Sequence, residues 1–350
     1  MIEFNGLSGN SLDRLIDSGM DPRCLRPYVG NDGHHYVDRI NANGKEVAVR
    51  LTGNTTATLR KEDWITFDRV LQETAKERLM AQADLRARGL QFIIPDGMGS
   101  TVLQTETVSD LNDAVVSMDG LNASANDREV YESTNLPLPI IHKDFSFSAR
   151  QIAVSRKSGT PLDTRMIAAA TRKVAESVEK LLLGRLSTFV FGGGTVYGYT
   201  NYTSRLTKVL TNPTASAWTG TTLLNELLAM RKQLTDIFRF GPFMIYAAPA
   251  WDQYIDNDFK ANSDKSLRNR IAEVGNFEGM KTLDYLQNYD IVMVQMTSDI
   301  IRTVIGMDMT AVQWDTDGGM KKNFKIMTIQ VPQLRADQNS SPGIVHASTA

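Results

Sequence analysis

Thiols and imidazoles, the side chains most suited to hold a transition metal or to serve as nucleophile and base, are sparse in this chain: one cysteine, Cys24, and four histidines, His34, His35, His142 and His346, in 350 residues. His34 and His35 are neighbours, and neighbours in an extended segment point to opposite faces, so they do not converge with Cys24 on one ion. His142 stands two residues before Asp144. On a strand that spacing puts both on one face and could supply the base and orienting acid of a triad. No serine with nucleophile-elbow spacing accompanies them, and a partly buried, hydrogen-bonded histidine is the expected reading. Gly192-Gly193-Gly194 lacks the Gly-Lys-Ser/Thr of a phosphate loop and the helix-opening third glycine of a dinucleotide site. With Tyr197, Tyr199 and Tyr202 following, it reads as a turn packed by aromatics. Acid pairs such as Glu176 with Glu179, or Asp256 with Asp258, read as solvated faces, and the methionines between 293 and 327 as core filler. An enzyme needs a pocket with convergent titratable groups. The sequence nominates no catalytic residue, no cofactor site and no metal site.

Charge, by contrast, is organised. Residues 96–135 are rich in Gly, Ser, Thr, Asn and Asp, and they carry Asp96, Glu106, Asp110, Asp113, Asp119, Asp127, Glu129 and Glu132 against a single basic residue, Arg128. Valines interspersed with polar residues give this stretch no core of its own, so it reads as a long extended excursion, of the kind that is functional or packs on a neighbour. Its docking surface should be basic. Arg165, Arg172 and Lys173, with Lys180 and Arg185 further along, supply such a face; the plainer alternative is a solvated helix surface. Over the whole chain 38 Lys and Arg stand against 40 Asp and Glu, a formal charge of -2, without the basic excess of a nucleic-acid reader. A single cysteine forms no intrachain disulfide and fits a reducing compartment. No apolar run approaches the ~20 residues that span a bilayer, and Met1-Ile-Glu-Phe-Asn-Gly lacks a signal peptide's basic and apolar regions. A soluble, unexported chain is expected.

The elements that would position these charges follow from spacing. With 42% hydrophobic residues, the chain can bury a real core in one or two domains. Residues 1–60 are polar and mixed and read as an arm. Within it, 36–40 and 46–51 flank Asn43-Gly44, which suits a hairpin turn, and so small a ribbon is expected to lie against another element or chain. Trp64, Phe67, Val70, Leu71, Leu79 and Leu85 recur at helical separations, predicting one amphipathic helix from Lys61 to Arg88, stopped by Gly89. Residues 136–148 read as a strand with Pro137 and Pro139 at its start. Thr160, Pro161 and Asp163 form a capping-box variant ahead of Met166, Ala170, Val174, Val178, Leu181 and Leu182, which share one face up to Gly184. The predicted helix is a rod of roughly 34 Å. A helix over 221–238, a strand at 243–248, a short helix from Pro249, and strands at 291–296, 300–305, 309–314 and 324–331 complete an α+β chain without internal repeats.

The order of these parts resembles the Hong Kong 97-like major capsid proteins of tailed bacteriophages and their cellular relatives, the encapsulins. The resemblance rests on Leu136-Pro-Leu138 with Phe145-Ser-Phe147, on Asp163 to Gly184 with Arg172-Lys-Val-Ala-Glu176 inside it, and on Gly194-Thr-Val-Tyr-Gly-Tyr-Thr-Asn201. Gly241-Pro-Phe-Met-Ile-Tyr246 before Trp251, and Ile305-Gly-Met-Asp308, continue it, over roughly residues 60–350. It implies an α+β Hong Kong 97-like capsid fold: an N-terminal arm with a β-hairpin and an amphipathic helix at 1–95; an extended E-loop at 96–135; a peripheral domain from 136–187 and 300–350, which includes the spine helix at 160–184; and an axial domain at 188–299. It also implies a homo-oligomer, a major capsid protein that self-assembles through pentamers and hexamers into an icosahedral shell. That shell would enclose double-stranded DNA contacted non-specifically, would be assembled in the bacterial host cytoplasm and reside in the virion, with portal, scaffold and decoration proteins as partner classes and neither membrane nor cofactor. An encapsulin is the alternative within the fold; the arm and the long E-loop favour the virus, because encapsulins are usually shorter. The functional sites are then interfaces, with Glu106, Asp110, Asp113, Asp119, Asp127 and Glu129 of the E-loop meeting Arg165, Arg172 and Lys173 on a neighbour's spine helix.

Two departures from the family pattern matter. Neither a cleaved scaffold segment nor a fused scaffold domain is expected from so short an arm. Some relatives lock the shell with an isopeptide bond from an E-loop lysine to an asparagine, and residues 96–135 contain no lysine. Assembled protein is therefore expected to run as one monomer band on a denaturing gel; a ladder of covalent oligomers would overturn this.

Overall fold

The computed structural model describes residues 21–40, 45–51, 59–108, 118, 131–158, 164–216, 218–259, 265–337 and 340–349. The arm opens with a three-stranded antiparallel sheet of β1 (Tyr28–Val29), β2 (His35–Ile40) and β3 (Glu46–Arg50), so that a third strand joins the expected hairpin. The Asn43-Gly44 turn lies outside the described residues.

Two helices follow, α1 (Lys61–Arg78) and α2 (Met80–Ala87), where periodicity predicts one. The break is at Leu79, whose backbone leaves the helical region at φ -92° and ψ 65°. A remote carboxyl meets the new helix start: Glu179 Oε1 accepts the Ala81 N–H at 2.7 Å. It takes one of the first-turn donors that every helix leaves unsatisfied. Glu179 is 2% exposed, which corrects the solvated reading of that residue.

After β4 (Gln91–Ile93), the strands β5 (Val102–Val108) and β6 (Tyr131–Pro137) pair antiparallel as a separate ribbon. The strand expected over 136–148 is therefore two, for β7 (Ile141–Ser148) belongs to another sheet. Pro137 and Pro139 fall at the junction, where neither is asked for an N–H. A helix that the sequence reading passes over, α3 (Ala149–Ser158), comes next. Ser148 Oγ accepts the Gln151 N–H at 3.2 Å and Gln151 Oε1 accepts the Ser148 N–H at 2.9 Å, the reciprocal bonds of a capping box. The expected spine helix is α4 (Arg165–Leu183); Thr160, Pro161 and Asp163 lie outside the described residues. It buries Ile167, Ala170, Val174, Val178 and Leu181, and Gly184 at φ 75° ends it, turning the Arg185 N–H back to the Lys180 carbonyl at 2.8 Å.

The remaining elements are β8 (Phe189–Phe191), β9 (Gly194–Val196), β10 (Leu206–Leu210), α5 (Gly220–Thr235), β11 (Phe243–Ala247), α6 (Asp252–Ile255), α7 (Leu267–Ala272), β12 (Phe277–Thr282), β13 (Ile291–Gln295), β14 (Ile301–Thr316), β15 (Lys321–Leu334) and β16 (Ile344–Thr349). The strands expected at 300–305 and 309–314 are one, β14, with irregularities on either side of Met307. Bulges of this kind re-aim a strand without ending its pairing.

Two sheets carry the body. One has the order β4-β14-β15-β7 and the other β10-β16-β13-β11-β12. The last strand, β16, lies between β10 and β13 rather than beside β14 and β15, where a grouping of 300–350 would put it. In the five-stranded sheet, Phe243, Ile245, Ile291, Met293 and Val345 pack against Leu223, Leu227 and Met230 of α5. On the four-stranded sheet, Trp64 and Phe67 of α1 meet Phe145, Phe147 and Phe324. Phe145 and Phe324 are register partners and stack with ring centroids 5.3 Å apart. No helix among the described residues is long and apolar enough to cross a membrane.

Candidate intersubunit surfaces

The β5–β6 ribbon pairs from Val102 opposite Pro137 to Val108 opposite Tyr131, a reach of about 24 Å at the usual rise per residue. Side chains bridge it: Gln104 Nε2 donates to Ser133 Oγ at 2.6 Å, and the Thr105 and Thr134 hydroxyls are 2.9 Å apart. Along β6, Tyr131 to Asn135 are exposed, and burial begins only at Leu136 and Pro137. Two strands with no layer beneath them are marginal in water, so the ribbon depends on its root. There Leu136 and Leu138 enter a core with Val196 and Val331, and halfway along the ribbon Gln333 Nε2 donates to Thr105 Oγ1 at 3.3 Å.

The β8–β9 hairpin lies against that root. Gly192 and Gly193 take φ of 59° and 77°, the doubly left-handed turn that two-residue hairpins favour. The Asn135 side-chain amide donates to the Gly192 carbonyl at 2.9 Å. A Cβ on Gly194 would stand 2.1 Å from the Asn135 carbonyl oxygen, so the third glycine exists because β9 runs in backbone contact with β6. Of the tyrosines that follow, Tyr199 is fully buried and stacks on Tyr246 with centroids 6.0 Å apart. The outer strand β8 instead presents Phe189, Val190 and Phe191 to solvent, at 41%, 67% and 52% exposure. Three consecutive exposed apolar side chains at the foot of a ribbon are the kind of patch that marks an interaction surface.

Of the acids expected to dock, Glu106 is exposed on β5, while Asp110, Asp113, Asp119, Asp127 and Glu129 lie outside the described residues. Arg165, Arg172 and Lys173 are all exposed on α4. Arg165 and Arg172, two turns apart, share a face. Within that helix Glu176 is met by Arg172 Nε at 3.6 Å and by Lys173 Nζ at 3.0 Å. Burial pushes the Glu176 carboxyl up, but the Lys173 hydrogen bond and the charges of Lys173, Arg172 and Lys180 outweigh it and hold the group below its ordinary value. One carboxylate thus answers two cations, and the face stays positive. The sequence reading misses a second basic helix: α3 contains Arg150 and Lys157, both exposed, and no acidic residue. The Ser148-to-Gln151 spacing is the signal that could have found it.

The other nominated groups form no centre. His142 is exposed rather than partly buried, with Nδ1 3.6 Å from an Asp144 that Lys325 Nζ also approaches at 3.7 Å. Cys24 Sγ donates to the Asp21 carbonyl at 2.9 Å, and Arg50 Nη2 is 3.0 Å from His34 Nδ1. Among the described residues no three metal-binding side chains converge.

A model of a family described as "Family of unknown function (DUF6260)" matches residues 54–347. No curated protein sequence matches the chain. Among solved structures, the virus-like particle from Pyrococcus furiosus is similar at a TM-score of 0.57 and 13% identity, over 82% of this chain and 100% of that one. The capsid of Myoviridae phage XM1 gives 0.57 at 12% identity, over 75% of this chain and 91% of that one. A chain of Mycobacterium phage Bobi gives 0.51 at 10%, over 75% and 89%. At such identities the likeness is one of fold. That fold is α+β and Hong Kong 97-like, as the order of elements implies.

The contact between β9 and β6 can be tested by adding one methyl group. Gly194→Ala would force the hairpin off the ribbon root, at a cost of about 1–3 kcal/mol as for other overpacked sites. Denaturant unfolding should read that loss, and limited proteolysis should cut residues 100–137 several-fold faster; an unchanged rate would mean the hairpin does not hold the ribbon.

Proposed function

Because the chain belongs to the family of unknown function DUF6260 and has the fold of capsid proteins, we propose that it is a phage major capsid protein. It assembles through pentamers and hexamers into an icosahedral shell around double-stranded DNA, and is a virion component. The observation that carries this reading is the β5–β6 ribbon, whose β6 strand is exposed from Tyr131 to Asn135 and which among the described residues enters a core at Leu136 and Leu138. Its exposed stretch has no layer of the described chain to lie on, whereas a second copy related by rotation supplies one, and repeating that head-to-tail contact closes a ring.

In this reading the exposed Phe189–Phe191 strand gives apolar area at the ribbon root. Asp110, Asp113, Asp119, Asp127 and Glu129, beyond Glu106, carry the acidic charge onto the neighbour's Arg165, Arg172 and Lys173, and Arg150 and Lys157 widen the target. A formal charge of -2 suits a wall that contains DNA without gripping it, since every phosphate contact slows release. The virus-like particle that aligns over its whole length supports a second reading, a shell that holds protein cargo instead of a genome. Portal, scaffold and decoration proteins belong to the phage reading as partner classes.

Electron microscopy of the purified chain, with nuclease-protected nucleic acid assayed in the same sample, separates these readings. Large shells, sheets or tubes of capsomers are expected; small uniform shells with protein inside would favour the cargo container, and a chain that stays monomeric or dimeric, alone and with its phage scaffold, would overturn both. The charge pairing has its own test. Reversing Asp110, Asp113, Asp119 and Glu129 together to lysine should lower shell yield while circular dichroism stays native. Each exposed pair contributes only ~0–1 kcal/mol, so single reversals should assemble normally, and normal shells from the fourfold variant would sink the pairing.

A further inference from the structure

The joint between the arm helices and the body contains a carboxyl that packing alone does not require. Glu179, on the buried side of α4, accepts the Ala81 N–H at 2.7 Å through Oε1, and the Gln82 N–H adds to that interaction. Its Oε2 has no hydrogen-bond partner among the described residues. Beside it lies a cavity of about 10 Å³, bounded by Glu77 of α1, by Met80 and by Leu283, Asp284 and Tyr285 after β12, a space of about one water.

The groups that face Glu179 are acidic or phenolic. Glu77 comes from α1, Asp84 from α2 and Asp284 from the turn after β12, while Tyr199 and Tyr246 bring hydroxyls from the turn after β9 and from β11. The cation of β12, Lys281, is committed to Asp84, which Nζ meets at 2.5 Å, and Tyr246 also donates to Asp84, at 3.1 Å. On α4 itself, Lys180 lies over the Tyr285 ring at 4.9 Å, and Arg172 and Lys173 hold Glu176. Glu179 has no ion pair among the described residues, yet it bridges α2, the spine helix and the edge of the five-stranded sheet.

We propose that Glu179 is a proton-controlled latch: it closes the arm helices onto the body while its carboxyl is neutral and loosens them when it ionises. A neutral carboxyl keeps the acceptor that Ala81 uses and can give its Oε2 proton to a water in that space, whereas the carboxylate, with no cation paired to it among the described residues, gains full hydration only by opening the joint. Burial holds the group up to about 7, with the Ala81 and Gln82 N–H groups opposing the rise and the Asp84 charge adding to it. In the open joint it returns to its ordinary 4.5. The closed state therefore binds the proton more tightly. Its stabilisation is complete below the open-state value and is lost as the pH rises through the closed-state value. From about pH 5 to pH 8 the opening equilibrium rises on the order of 50-fold. The inference concerns one chain and stands apart from whether copies form a shell.

Hydrogen–deuterium exchange on the full chain tests it. Protection factors of peptides covering 79–87, corrected for intrinsic exchange, should fall by on the order of 50-fold across that range. Glu179→Gln, which keeps the acceptor and cannot ionise, should give a flat profile. A flat wild-type profile, or a slope that survives in the variant, would overturn the latch. Infrared difference spectra of the wild type give a readout that needs no variant. A carboxylic-acid carbonyl band should persist at pH 6 and vanish with a midpoint near 7; its absence at pH 6 would equally overturn the proposal.

Discussion

The spine helix is the part on which the rest of the chain is built. α4 places Leu182 and Leu183 in the core of the five-stranded sheet, Leu181 among Leu136, Val304 and Val331, and Ile167, Ala170 and Val174 among the aromatics of α1, β7 and β15. The two sheets share no strand. Burying a Leu, Ile or Val side chain contributes about 1.5–3 kcal/mol, and here the contributions from both sheets fall on one rod of about 28 Å. Neither sheet can move without uncovering a side of it. Beyond Gly184 the next residue extends the hold, for Arg185 forms an ion pair with the largely buried Asp290, which His346 Nε2 approaches at 3.6 Å.

A body so completely served by one helix leaves the ribbon and β8 outside. The division of labour between them follows from magnitudes. Charged side chains at a wet surface contribute little affinity each and are screened by salt, but they set approach and register. Apolar area is insensitive to register and carries more energy. In the proposed shell, acids spread along residues 106–129 and apolar residues gathered at Phe189–Phe191 would separate the two tasks. Contacts that are each modest also let misplaced copies leave, which a closed shell built from one chain needs more than it needs any single strong contact.

The spine helix was legible in the sequence because everything that makes it is local: Ala170 to Leu182 at helical spacing, then Gly184, although Met166, expected on the buried face, is exposed and Ile167 takes its place. The break at Leu79 was not, because the carboxyl that meets the Ala81 N–H comes from 98 residues away and the apolar period runs through the break unchanged. For the same reason Glu179 read as half of a solvated pair. β14 looked like two strands since Gly306 and Asp308 interrupt the alternation, and only pairing with β15 shows that the interruption is an irregularity within one strand. α3 is a different matter: its cap was in plain view at Ser148 and Gln151. At the candidate surface, charge was legible and shape was not. The glycines at 192–194 announced a turn, but nothing local could say that the third of them faces the backbone of residue 135.

Both roots of the ribbon use the same device, and that bears on how it would work. On one side, a Cβ at Gly97 would lie 2.1 Å from the Gly306 carbonyl oxygen; on the other, a Cβ at Gly194 would lie 2.1 Å from that of Asn135. Backbone against backbone leaves no side chain to rotate, so each root is fixed by main-chain shape rather than by rotamer choice. A ribbon sprung from two such roots points in one direction before any partner arrives. Binding by a pre-aimed segment forfeits less conformational entropy than binding by a loose one, and in the proposed shell the saving would recur at every copy. The exposed ribbon and the rigid body are therefore complementary: the chain keeps its own core tight around α4, and the ribbon, which has no layer of its own among the described residues, springs from that core.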